Sequence, residues 1–157
     1  MSQIPFLLFD TNVLILYIVG KTDARLVNRH RRLASFTADD YALLAAIAAR
    51  AGQLVYLPNV ATEASNLLGQ SERPADRLIL RTFHDYLNTA CEIFVPTPTA
   101  AARPEFWYLD FTDCALLTET LSDVMMISID AKLCYNAQRL GLHAVNFNHI
   151  REESWES

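Results

Sequence analysis

The sequence is poor in cysteine, short of positive charge and without a long unbroken apolar run, and each shortage removes a class of protein. Cys91, Cys114 and Cys134 are an odd number with no CxxC spacing. They provide neither a disulfide framework nor a zinc knuckle, and a reducing cytoplasm is the expected location. With 13 Lys and Arg against 18 Asp and Glu, the formal net charge is −5. That excludes a polycationic nucleic-acid binder, so any contact with nucleic acid has to come from local patches. The one long apolar stretch, Phe6 to Val19, carries Asp10, Thr11 and Asn12 in its middle, lacks a basic leader and is too short to span a bilayer. Neither a signal peptide nor a membrane segment is expected. His30, His84, His143 and His149 show no paired spacing, and no Ser-His-Asp or Cys-His arrangement offers a covalent nucleophile.

What remains is a chain of 157 residues, 52% hydrophobic and 20% charged, which suits one domain over residues 1–150 followed by a surface tail at 151–157. No repeat or low-complexity segment divides it. Five short apolar runs read as buried strands: 6–9, 54–57, 92–95, 125–129 and 143–147. Helix-length segments lie between them. Thr37 and Asp40 form a capping-box pattern opening a helix over 38–51, with Gly52 as its expected stop. Segments 74–90 and 131–140, the latter closed by Gly141, read the same way. Strands alternating with helices predict a three-layer α/β/α sandwich around a mostly parallel five-stranded sheet. The least regular stretch, 96–110, contains Pro96, Pro98 and Pro104 and ends in Phe106-Trp107-Tyr108, so it is expected to be a long loop.

In a parallel α/β sheet ligands bind beyond the carboxyl ends of the strands. Here acids occupy those ends: Asp10 follows the first strand and Asp130 the fourth, while Glu63 lies one turn into the helix after the second. Asp113 joins them if the long loop returns to the same edge. Singly, Asp10, Asp113 and Asp130 read as helix caps. Jointly with Glu63 they would repel one another unless a cation neutralised them, and oxygen ligands of this kind favour Mg²⁺ or Mn²⁺. Asp110 reads as a helix cap or as a fifth acid, with the cap favoured.

Asp10-Thr-Asn-Val-Leu14 after an apolar strand, Glu63 in a helix, Phe111-Thr-Asp-Cys-Ala115 at a helix start, and Ile127-Ser-Ile-Asp-Ala-Lys-Leu133 followed by Gly141 together resemble the four acidic blocks of the PIN domain family. The resemblance covers nearly the whole chain. It implies a Mg²⁺- or Mn²⁺-dependent endoribonuclease with Asp10, Glu63, Asp113 and Asp130 as its metal-binding, catalytic acids. Asn12 would hold the loop of the first acid, and Ser128 would stand where the family commonly has Thr. Hydrolysis in this family leaves a 5′ phosphate and a 3′ hydroxyl. Many members are toxins held by an antitoxin, so an antitoxin-like protein partner and a homo-oligomer are also implied.

A polyanionic substrate needs cations, and Lys21, Arg25, Arg29, Arg31 and Arg32 are the densest supply in the chain. Arg29, Arg31 and Arg32 are the expected RNA contacts, against the alternative of a solvated helix face. Arg73, Arg77 and Arg81 form a second stripe at intervals of four. Phe106-Trp107-Tyr108 offers rings for stacking on unpaired bases or, alternatively, a cover for the core. A haloacid-dehalogenase-like phosphatase would need a second Asp where this chain has Asn12. A non-catalytic PIN-like module binding RNA or protein is the alternative from another class.

Overall fold

Four of the apolar runs, 6–9, 54–57, 125–129 and 143–147, end within one residue of a strand end in the structure. The structure is a computed structural model and describes residues 3–69, 71–118 and 121–157. Five strands, β1 (Ile4–Phe9), β2 (Ala51–Tyr56), β3 (Cys91–Glu92), β4 (Val124–Ser128) and β5 (His143–Asn146), form one sheet in the order β3-β2-β1-β4-β5. Every neighbouring pair is parallel. Helices flank the sheet, so the three-layer α/β/α arrangement is the observed fold.

The helices are α1 (Thr11–Thr22), α2 (Ala38–Ala48), α3 (Pro58–Leu68), α4 (Pro74–Thr89), α5 (Thr97–Ala101), α6 (Phe111–Leu116), α7 (Ala131–Arg139) and α8 (Phe147–Glu156), with 3₁₀ turns at Ala24–Arg29, Arg31–Leu33 and Pro104–Trp107. From β1 the chain moves outward through β2 to β3, then returns across β1 to β4 and β5. Right-handed crossovers therefore put α1 to α4 on one face and α5 to α7 on the other. The packing of α1 against α2, α3 and α4 agrees. α1 is buried on every side from Val13 to Gly20, as a helix apolar all round must be. Leu16 has no exposed surface; truncating such a side chain to Ala costs about 2–5 kcal/mol.

Several boundaries differ from those the sequence predicts. The Thr37–Asp40 capping box is present, but α2 stops at Ala48, before Gly52. Gly52 lies inside β2, where a Cβ would stand 3.0 Å from the Pro5 carbonyl oxygen of β1. It is a site of close strand approach rather than a helix stop. β3, at the edge of the sheet beside β2, spans only two residues, and Phe94 beyond it is 68% exposed. The proline-rich stretch folds into α5 and a 3₁₀ turn. The terminal segment is no loose tail: α8 continues to Glu156, pinned by buried Arg151, which donates to the Ser35 carbonyl at 2.9 Å and packs over the Phe36 and Trp155 rings.

Candidate active site

The chain leaves β1 toward one side of the sheet and β4 toward the other, so the carboxyl ends of these adjacent strands form the topological switch point. Asp10 and Asp130 sit there. Asp10 caps α1, its Oδ1 accepting from the Thr11 amide at 2.7 Å, and its own amide donates to the Ile127 carbonyl at 2.9 Å. Its Oδ2 accepts from the Ser128 hydroxyl at 2.8 Å. The same Ser128 oxygen accepts from the Asp130 amide at 3.0 Å. Fully buried Ser128 thus ties the two strand ends together. Asp130 is exposed and caps α7 through Oδ1, which accepts from the amides of Lys132 at 2.9 Å and Leu133 at 3.1 Å.

Glu63 arrives from α3, half-buried, and is held by two hydroxyls. Thr11 Oγ1 donates to its Oε2 at 2.9 Å and Thr112 Oγ1 to its Oε1 at 2.5 Å. Each threonine adjoins an acid in the chain, Thr11 beside Asp10 and Thr112 beside Asp113. The long loop does return to this edge: Asp110 caps α6, accepting from the Asp113 amide at 2.8 Å, and turns buried Asp113 inward. The cap reading of Asp110 therefore describes its geometry, while its charge still acts on Asp113.

Burial, reinforced by the charges of Asp110, Asp10, Asp130 and Glu63, pushes the Asp113 carboxyl up to about 8. Burial also raises Asp10; the hydrogen bonds from Ser128 and Thr11 oppose the rise, and the charges of Glu63 and Asp130 add to it. The charges named as acting on the two groups are all those of neighbouring acids. Asp10, Glu63, Asp110, Asp113 and Asp130 thus form a concentration of negative charge, felt most by buried Asp113.

The donors are all carboxylate and hydroxyl oxygens, which suits a hard divalent cation. Among the described residues, however, no three Asp, Glu, His or Cys side chains are grouped as they would be around one ion. The cleft fits such an ion in charge and donor type, and binding would have to draw the carboxylates closer together.

The remaining expected residues divide. Asn12 is exposed and makes no side-chain hydrogen bond among the described residues, so the loop of the first acid is held by Thr11 and Ser128 instead. Arg25 pairs with Asp23 at 2.8 Å and Arg77 with Glu72 at 3.7 Å, all on the surface. Arg29 and Arg31 line one cavity together with Arg73, whereas Arg32 does not line it. Trp107 is 85% exposed, with Phe106 in an edge contact at 5.3 Å, so this cluster does not cover the core. Lys132 lies over the Tyr108 ring at 5.5 Å. Beside Glu63 and Thr112 opens a groove of about 390 Å³ whose wall includes Asn59, Thr62 and exposed Phe94.

The sequence alone assigns no role to Thr11, Thr112 or Phe94. The threonines adjoin acids in two of the four blocks, which is the signal that marks them. Their shared partner is visible only once α3 and α6 are brought together. No protein-family model matches this chain, and no curated protein does either.

Proposed function

We propose that this chain is a PIN-like endoribonuclease dependent on Mg²⁺ or Mn²⁺, with Asp10, Glu63, Asp113 and Asp130 as the acids that would hold the metal. One observation carries the reading: carboxylates from four separate parts of the chain lie near enough at the switch point of a parallel sheet that, with burial, their charges raise the Asp113 carboxyl. When bound there, the metal supplies an activated water and stabilises the leaving 3′ oxygen. Ser128 and Thr11 fix the Asp10 carboxylate, and Thr11 and Thr112 fix Glu63. These hydroxyls keep the acids oriented despite their repulsion. The groove beside Glu63, with Phe94 as a stacking face, has room for an unpaired base, and the exposed rings of Trp107 and Tyr108 offer further stacking faces; both favour single-stranded RNA.

Three free thiols suit a reducing cytoplasm, and among the described residues no helix is long and apolar enough to cross a membrane. A toxin role belongs to the same proposal: an antitoxin-like partner would place a basic residue in the acidic cleft, and exposed Trp107 and Trp155 offer surface for a second copy or for that partner. Purified protein is expected to cut mixed single-stranded RNA with Mn²⁺ and to stop with EDTA. Binding without cleavage in Mn²⁺ would instead identify a non-catalytic module. Expression of the chain alone at high level should arrest growth and deplete RNA if it is a toxin; unchanged growth would leave a housekeeping or defence nuclease.

A further inference from the structure

Three separate pieces of chain enclose a cavity of about 290 Å³: the paired 3₁₀ turns at Ala24–Arg29 and Arg31–Leu33, the end of α3, and the approach to α4. Its wall presents Arg29, Arg31 and Arg73 with His30, Ser71 and a single acid, Asp76. Three arginines thus share the wall with one aspartate among the described residues, and the Asp76 carboxylate already accepts the Ser71 hydroxyl. Elsewhere Arg25 pairs with Asp23, Arg77 with Glu72, Arg103 and Arg139 with Glu105 and Arg151 with Asp40, while Arg32 and Arg81 enter no ion pair among the described residues. Among the described residues Arg29, Arg31 and Arg73 enter no ion pair.

The surroundings are fixed rather than loose. His30 Nδ1 accepts from the Arg32 amide at 3.2 Å, which leaves the proton of a neutral ring on Nε2 as a donor. Gly69 has φ +74°, a conformation open to glycine, and a Cβ there would stand 3.2 Å from an Arg31 nitrogen. The absence of a side chain lets the end of α3 pass against the guanidinium. Like charges gathered around a cavity are relieved by an anion, and guanidinium groups match the oxygens of a phosphate in pairs.

We propose that this cavity holds a backbone phosphate of single-stranded RNA, anchoring the strand outside the acidic cleft; this rests on the reading of the chain as acting on RNA, though not on cleavage itself. The cleft repels a polyanion, so an anchor has to be placed beyond it. Leu68, on the cavity wall, lies about 8 Å along α3 from Glu63 at the ordinary helical rise. A strand held here has a neighbouring stretch within reach of the acids. Arg73 joins Arg29 and Arg31 among the residues expected to touch RNA at this cavity.

The test is fluorescence anisotropy of a labelled, mixed-sequence single-stranded RNA with the full chain in EDTA, over a salt series. Arg31→Gln and Arg73→Gln should each weaken binding several-fold and reduce the slope of log affinity against log salt by about 0.7 for each phosphate that is no longer neutralised. Arg25→Gln, which changes an exposed arginine paired with Asp23 outside the cavity, should bind as the parent does. The substituted arginines are exposed, and unchanged thermal melts will show that the variants fold. Calorimetry with inorganic phosphate distinguishes the sources of the ligand. Saturable phosphate binding that Arg31→Gln abolishes, with RNA affinity untouched, would make this a site for free phosphate and overturn the proposal. No RNA binding by the parent, or an equal loss in Arg25→Gln, would overturn it as well. Because EDTA removes cleavage from the measurement, a chain that binds through this cavity but never cuts loses the nuclease reading alone. A chain that cuts with Mn²⁺ while all variants bind alike loses the cavity alone.

Discussion

Ser128 donates its hydroxyl proton to Asp10 at 2.8 Å and with the same oxygen receives the amide of the Asp130 backbone. One buried hydroxyl therefore sets the spacing of two acids on adjacent strands. Removing it in Ser128→Ala leaves a mostly buried carboxylate oxygen and an amide without their partner, at a cost of about 1–3 kcal/mol. The Asp10 carboxyl should also move further up, because the Ser128 hydrogen bond holds it down. Urea melts and the pH profile of cleavage will measure both. Ser128→Thr keeps the hydroxyl and should restore the profile, which a purely structural role for the side chain would not require.

Asp113 gives the metal-free protein a pH-dependent stability of defined sign. Its carboxyl titrates near 8 in the folded state against an ordinary value of 3.8. Between about pH 4 and pH 8 the folded chain keeps a proton that the unfolded chain has released, so stability falls as pH rises. Asp113→Asn should flatten that fall. It should stabilise the protein in EDTA at pH 8 by on the order of 1 kcal/mol, since solvent reaching the cleft screens part of the repulsion. Thermal melts in EDTA across this range will decide it. Mn²⁺ should raise the melting temperature of the parent and raise that of Asp113→Asn less. A pH-independent parent that ignores millimolar Mn²⁺ would contradict the shared-charge description of the cleft.

The sheet was legible mainly from its central strands β1 and β4, whose burial on both faces makes them read as continuous apolar runs rather than alternations, whereas β3 keeps only Cys91 and Glu92, both exposed. Asp10, Glu63 and Asp130 could be placed from that pattern, and Asp113 once the long loop was required to return. What could not be read depends on tertiary approach. Glu63 meets Thr11 and Thr112 only because α3 packs between α1 and α6, and nothing in the local sequence announces the pairing. Gly52 carries the same signal in a helix stop as in a crowded strand. α8 was missed because only Phe147 and Arg151 of its residues are buried, leaving no apolar stripe to detect.

Glu105 is a structural acid of the opposite character. It is 2% exposed, and although burial works against its charge, Arg103 at 2.9 Å and Arg139 at 3.2 Å hold its carboxyl below the usual glutamate value. The sign is therefore reversed: its contribution is present above the ordinary value of 4.5 and is lost as pH falls through the lower folded value. Glu105→Gln should destabilise the protein at neutral pH by about 2 kcal/mol, the two arginines being partly exposed and able to hydrate. Metal binding should be unaffected, as calorimetry with Mn²⁺ will show.

Arg151 joins α8 to the rest of the molecule. It lies 3.7 Å from the buried carboxylate of Asp40, donates to Ser35 and covers Phe36. Arg151→Met preserves much of the apolar packing but strands Asp40 and should cost about 3 kcal/mol or more. The companion change Asp40→Asn in the same chain should recover part of that loss in a double-mutant cycle. Strict additivity in denaturant melts would mean that the pair is not coupled.

The acidic cleft as a metal-dependent RNA-cutting site is tested most directly by cleavage of mixed single-stranded RNA in Mn²⁺ by the parent, Asp10→Asn and Asp130→Asn, each shown to be folded by its thermal melt. The parent should cut, EDTA should stop it, and both variants should lose activity by 100-fold or more, an order-of-magnitude expectation of about 3 kcal/mol in the barrier. Folded Asp10→Asn and Asp130→Asn proteins that cut RNA at the parent rate would contradict it.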